Sequence, residues 1–385
     1  MNSLIKYLAF IFLLNNLFFG ILKLNQLAEN TFFLILGFSL LITIYSIKIL
    51  KRVIFNKSFQ LFFMLNLLNL IYYICFEFGD IDSFKYLSAR FVQFSIFSIT
   101  IYSFKNDFPR MLIKFLKFVT ISTLLASFIF YFPNFQSRYS GIFINPNEFS
   151  ILMVIGFSIV LFVEKKSYLN YLLLFLFLLA IVISGSRSAI AGIVIAIFSY
   201  LIHHKLKNII NVILILSILI ILSIYSGENN AVQRMFELDI LLNRKFQYIY
   251  AIETFLQEPL FGHGLKNYAY IDYSLIQFND VKIDFGAHNG YLSILVQYGI
   301  VFSSIFFSIF FYYLYKIYRS QVSFFGENNS EIRFLFFVVT YTLVNGLFEN
   351  TIIGISFFQT NLFWLTIAYF TYILHKKNES NSISY

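Results

Sequence analysis

Polar residues are sparse along this chain and fall in clusters, separated by apolar stretches long enough to cross a bilayer. A hydrocarbon core of about 30 Å needs about 20 mostly apolar residues in a helix. Such stretches lie near residues 4–22, 31–50, 59–76, 86–104, 112–132, 147–163, 168–184, 187–203, 208–225, 289–315, 332–348 and 355–374. The pattern predicts an all-α polytopic membrane protein with about 12 transmembrane helices. One extramembrane segment is large, residues 226–288, and its first half has a helical pattern. Asn243 is its expected cap, Phe246, Ile249, Tyr250, Phe255 and Leu256 form its apolar side, and Pro259 stops it. The apolar stretch after Lys6 runs through Leu22 without a small-residue cleavage site before Lys23, so it reads as a retained first span. Residues 375–385 read as a short, irregular cytoplasmic tail.

The breaks between spans carry the chemistry. Arg187 lies in Ser184-Gly185-Ser186-Arg187-Ser188, between two apolar runs. A cation at mid-bilayer costs roughly 2.5–3.5 kcal/mol even on lenient insertion scales, so this cluster belongs at a membrane surface.

Composition changes the picture in one respect and charge in another. The chain is 59% hydrophobic and 12% charged, against roughly 25% charged in soluble globular proteins, which excludes that class. A net charge of +9 raises nucleic acid as a partner, but the cations are scattered among apolar spans and no RNA or DNA module is visible. Positive-inside topology accounts for much of that charge and puts both termini in the cytoplasm. The exceptions, Lys23, Lys85, Arg90, Arg138, Arg187, Arg234, Arg244, Lys245, Lys266 and Lys282, then face outward. They concentrate after residue 137, in segments that also hold the polar motifs. The single cysteine, Cys75, excludes an intramolecular disulfide and a thiolate metal cluster.

In this topology three spans begin on the outer side with a polar group. These are Asn145-Pro146-Asn147-Glu148, Ser184-Gly185-Ser186-Arg187 and His288-Asn289. Helix N-termini offer unpaired N–H groups and partial positive charge, and with Arg138, Arg187 and Arg244 they suit a diphosphate. Each group also has a structural reading. Asn145, Pro146 and Glu148 form a capping-box-like start, Ser184 to Ser188 cap a helix while Arg187 snorkels, and His288 bonds backbone at the interface. An aromatic belt accounts for Tyr248, Tyr250, Tyr268, Tyr270 and Tyr273 as readily as sugar stacking does. The shared side of the membrane favours a site.

Taken in order, these motifs resemble the bacterial O-antigen ligase and polymerase superfamily of membrane glycosyltransferases. The resemblance runs from Arg138-Tyr-Ser-Gly141 and Asn145-Pro-Asn-Glu148 through Ser184-Gly-Ser-Arg187-Ser-Ala189. It continues with Arg244 before Pro259-Leu-Phe-Gly262-His-Gly264, then His288-Asn-Gly-Tyr-Leu292 and Gly299. Two departures stand out. Tyr248 occupies a position where tryptophan is common, and His263 competes with His288 for the role of base.

The resemblance implies a GT-C-like fold with one large periplasmic loop, N-terminal helices over 1–130, a catalytic membrane domain over 131–374, and a place in the inner membrane with the site facing outward. It implies an undecaprenyl-diphosphate-linked oligosaccharide as donor, no cofactor and no metal. Arg187, Arg244 and Arg138 are expected to hold the diphosphate, and His288 to take the acceptor proton. Asn145, Asn147, Glu148, Ser184, Ser186, Asn289 and Tyr248 are expected to bind substrate or cap helices. The first reading is a polymerase of O-antigen or capsular-type repeat units, with a chain-length regulator and a flippase as partners. The alternative is a ligase that moves glycan onto lipid A core or protein. A flippase or other transporter is the alternative of a different class, but it calls for ionisable residues at the bilayer midplane, where these spans are mostly uncharged.

Overall fold

The computed structural model describes residues 2–45, 53, 56–133, 137–164, 167–201, 239–267, 270–272, 274, 287–325 and 329–382. Among them the chain is helical, with α1 (Asn2–Gly20), α2 (Asn25–Tyr45), α3 (Gln60–Phe76), α4 (Ile81–Phe104), α5 (Phe108–Phe130), α6 (Pro146–Phe162), α7 (Tyr168–Ser184), α8 (Arg187–Leu201), α9 (Asp239–Gln257), α10 (Gly290–Phe325), α11 (Ser330–Asn345) and α12 (Phe358–Ser382). The expected span at 208–225 lies outside the described residues, as do residues 226–238, 268–269, 273 and 275–286 of the large extramembrane segment.

The helix starts follow from polar residues left at the breaks. Asp80 caps α4 by accepting from the N–H groups of Asp82 (2.9 Å) and Ser83 (3.0 Å). Asn145 caps α6, Ser167 caps α7 and Asn329 caps α11 in the same way, each contributing about 1 kcal/mol by pairing a donor that the helix cannot. Asn243 is not a cap: α9 starts four residues earlier, at Asp239. The last helix also corrects the expected irregular tail, since α12 continues to Ser382.

Among the described residues four segments are long and apolar enough to cross a membrane, Asn25–Ile42, Lys57–Phe76, Ile81–Phe130 and Gly290–Ser320. Phe33, Leu34, Phe118, Ile129 and Phe130 stand exposed on helix surfaces, as lipid-facing side chains do. With several shorter apolar helices beside these segments, the architecture is that of an integral membrane protein.

At the centre stands α12, buried at every position from 359 to 372, packed against α1, α4, α10 and α11. One hydrophobic core runs through the helices, from Leu8 in α1 to Tyr372 in α12. Helices α6, α7 and α8 pack together, and α11 covers α6 and α8.

Two irregular features position the site. Helix α10 kinks at Gly299, whose φ of 62° and ψ of −178° are not helical. Into that kink docks the segment after α9. Ile300 N donates to Pro259 O (2.8 Å), Gly264 N to Gln297 O (3.0 Å) and His263 N to Val296 O (2.9 Å). A Cβ on Gly299 would lie 2.4 Å from the Leu260 backbone, so only glycine fits. The Pro259 to Gly264 motif and Gly299 are thus two halves of one joint.

The second feature is the loop between α11 and α12, held from below by α4 and α12. Arg90 is 4% exposed and bonds Gln93 Oε1 (2.8 Å), the Tyr86 hydroxyl (3.0 Å) and the Ile353 carbonyl. Trp364 Nε1 donates to Ile352 O at 2.8 Å. Arg90 is therefore no outward-facing cation but an interior clamp.

Candidate functional site

The segment that carries Arg138 is pinned on three sides. Tyr139 N donates to Ile183 O at the end of α7 (3.0 Å), Ile144 N to Gly20 O (2.8 Å), and Leu22 N to Ile142 O (3.0 Å). The Tyr139 hydroxyl adds a bond to Ser127 O at 2.6 Å. This mooring sets Arg138 between α6 and α7, where its Nε donates to Ser184 O at 3.0 Å and its Nη2 donates to Asn147 Oδ1. Ser184 itself ends α7, and Gly185 turns the chain in the left-handed conformation (φ 63°) before α8 begins at Arg187.

From Asn147 the polar chain continues across the bundle. Its Nδ2 donates to Glu349 Oε1 at 3.0 Å, and Glu349 Oε2 faces His288 Nδ1 at 3.1 Å. Ser184, Arg138, Asn147, Glu349 and His288 are thereby joined in one run of hydrogen bonds, drawn from α6, α7, the approach to α10 and the α11–α12 loop. A carboxylate only accepts, so this pairing puts a proton on Nδ1 of a neutral His288 and leaves Nε2 with its lone pair.

The backbone also marks His288. Its φ is +38°, unusual for a residue with a Cβ, and such strain persists only where surrounding contacts enforce it. Those contacts are present. Asn289 caps α10 by accepting from Tyr291 N (2.9 Å) and Leu292 N (3.1 Å). Gly290 N donates to Gly346 O at 2.8 Å, and Ser293 Oγ donates to Asn350 Oδ1 at 2.7 Å. The start of α10 and the loop carrying Glu349 are laced together.

His288, Glu349, Asn147, Glu148 and Asn145 line a cavity of about 380 Å³, closed on its other side by α1 and α2. Asn145 is spent on capping, accepting from Asn147 N at 2.8 Å. Glu148 turns instead toward Gly20, with Oε2 only 2.3 Å from where a Cβ on that glycine would stand. Arg138 and half-buried Arg187 do not line the cavity; Arg138 stands behind Asn147, and Arg187 heads the neighbouring helix. Ser186 pairs with Ser188 across 3.3 Å.

Tyr248 brings α9 to the same region, its hydroxyl donating to Leu347 O at 2.5 Å, two residues before Glu349. The Arg244 side chain, one turn earlier on α9, lies outside the described residues. His263 Nε2 meets Thr254 O at 2.6 Å, a carbonyl that only accepts, so this ring holds the loop to α9.

A second fastening sits at the α3–α4 corner. Glu77 accepts from Leu265 N (3.1 and 3.2 Å), and Lys266 pairs with Asp80. Burial pushes the Glu77 carboxyl above its ordinary value, whereas the hydrogen bond from Lys266 pulls Asp80 down to about 2.

Glu349 is the residue that sequence reasoning passed over. It follows the apolar run of α11 directly, in Gly346-Leu-Phe-Glu349-Asn350, where a lone carboxylate reads as a helix end. Two successive polar residues in a short break between apolar spans were the available signal.

Comparison with known proteins agrees with the motif reading. Residues 172–307 match the protein family described as O-antigen ligase. Over 381 residues the chain is 22% identical to the ComP-specific O-oligosaccharyltransferase of Acinetobacter baylyi, covering 91% of this chain and 67% of that protein.

Proposed function

We propose, from a chain that belongs to the O-antigen ligase superfamily, that this protein transfers a glycan from a polyprenyl-diphosphate carrier to an acceptor hydroxyl on the outer face of the membrane. The observation that carries the reading is the run Arg138–Asn147–Glu349–His288, whose His288 end lines the cavity. His288 Nε2 accepts the hydroxyl proton, the oxygen attacks the anomeric carbon, and the bond from that carbon to the diphosphate oxygen breaks, the lipid diphosphate leaving with the electron pair. Glu349 orients the ring and stabilises the imidazolium as it forms. Arg138 and Arg187, with Arg244 as a third, offset the charge that develops on the leaving group.

Within this class we favour transfer onto a separate acceptor, the ligase type, over repeat-unit polymerisation. The matched family and the relative are described as a ligase and an oligosaccharyltransferase. Glycan gels of surface and lipid-carrier fractions test this in a deletion strain complemented with wild type, Arg187→Ala or His288→Ala. Long polymer stranded on the carrier is the expected result for the deletion and both variants. Single repeats on the acceptor without a ladder would identify a polymerase, and normal transfer by His288→Ala would overturn the base assignment.

A further inference from the structure

Resting on the transferase reading, we infer that the corner between α1 and α2 forms a binding subsite for the acceptor, and that this acceptor is a saccharide. The cavity at His288 is walled on that side by Asn16, Asn25 and Glu29, residues in which the sequence shows only apolar spans and their breaks.

Charge decides which substrate the cavity serves. Among the described residues its lining includes the carboxylates Glu29, Glu148 and Glu349 and no Lys or Arg. A diphosphate would be repelled there, and Arg138 and Arg187 stand outside it. A polyhydroxylated ring has the complementary chemistry: amides and carboxylates bond hydroxyl groups, and the apolar faces of Phe19 and Phe143 in the same wall suit the C–H face of a sugar. The base is also here, so the molecule that fills the cavity is the one that surrenders a proton.

Asn16 is 3% exposed, and its Nδ2 donates to Phe12 O at 2.8 Å, which fixes the amide at this wall of the cavity. A volume of about 380 Å³ is at the small end of ligand pockets, roughly 300–1,000 Å³, which fits a terminal sugar and not a peptide segment. Backbone bonds from Ile144 to Gly20 and from Leu22 to Ile142 keep this wall in register with the segment bearing Arg138.

The test is equilibrium binding to the full chain in lipid nanodiscs, read by saturation-transfer NMR. The probes are phosphate-free core oligosaccharide and repeat-unit oligosaccharide from the source bacterium, and inorganic pyrophosphate. At least one oligosaccharide should bind the wild type, and Asn25→Ala and Glu29→Gln should each weaken it at least tenfold with pyrophosphate binding within twofold of wild type. Arg187→Ala should show the converse. Core binding without repeat binding identifies the acceptor of a ligase; repeat binding identifies that of a polymerase. Absence of saccharide binding, binding undiminished in both wall variants, or displacement by a serine-bearing peptide instead of a sugar would overturn the inference. Binding involves no chemistry, so failure of the transferase reading shows separately, as transfer that survives His288→Ala.

Discussion

Replacing Glu349 by Gln tests the link between the carboxylate and the base. His288 Nδ1 and Glu349 Oε2 are 3.1 Å apart, with side chains 30% and 15% exposed. At that distance a carboxylate and a developing imidazolium attract by about 5 kcal/mol at an effective dielectric of about 20. Partial exposure screens roughly half of this, and a Gln carbonyl retains a hydrogen bond, which leaves a loss of about 2 kcal/mol in the transition state. That corresponds to about a 30-fold fall in kcat. The donor KM should stay near wild type, because the diphosphate contacts are assigned to arginines. The assay is transfer by the purified protein in nanodiscs with extracted lipid-linked donor, followed by gel mobility of the product at matched protein levels. A kcat within threefold of wild type would refute the coupling, and an unchanged kcat with a raised donor KM would move Glu349 to the donor side.

Two further outcomes concern the joints that hold the site. Gly299→Ala places a Cβ 2.4 Å from Leu260 backbone atoms at a φ of 62°, so it should separate the Pro259–Gly264 segment from α10, cost about 2–4 kcal/mol and expose that segment to limited proteolysis; wild-type resistance would refute the steric argument. The Glu77 carboxyl, raised chiefly by burial, binds its proton more tightly in the docked than in the undocked state. Its stabilisation is therefore greatest below the ordinary carboxylate range and declines as pH rises through the raised value. Asp80, held at about 2 by Lys266, contributes in the opposite sense, present above its ordinary value and lost as pH falls toward 2. Thermal midpoints measured between about pH 4 and pH 8 should fall less steeply in Glu77→Gln than in wild type, and equal slopes would exclude Glu77 as the source.

Helices were legible wherever a polar break interrupts an apolar run. The expected span at 168–184 coincides with α7, because Ser167 caps its start and Gly185 ends it. The interior of α10 was less legible, since Gly299 reads as a motif residue and its kink depends on a segment some forty positions earlier that sequence spacing does not bring near. The site was partly legible for the same reason. Asn147 and His288 announce themselves at helix starts, whereas Glu349 gains meaning only from His288, 61 positions away. Arg90 was read as an outward cation because position in a topology does not reveal which carbonyls lie inside the bundle.

That buried arginine has a consequence for biogenesis. Its partners in the bundle are neutral, and the Ile353 carbonyl lies 263 positions further along the chain. During synthesis Tyr86 and Gln93, about one turn away in α4, can bond Arg90 as soon as that helix forms, whereas the Ile353 carbonyl arrives only after nearly the whole remaining chain has been made. A chain truncated before the α11–α12 loop would therefore lack one of the bonds that hold this guanidinium, and completion of the second half closes the packing of the first.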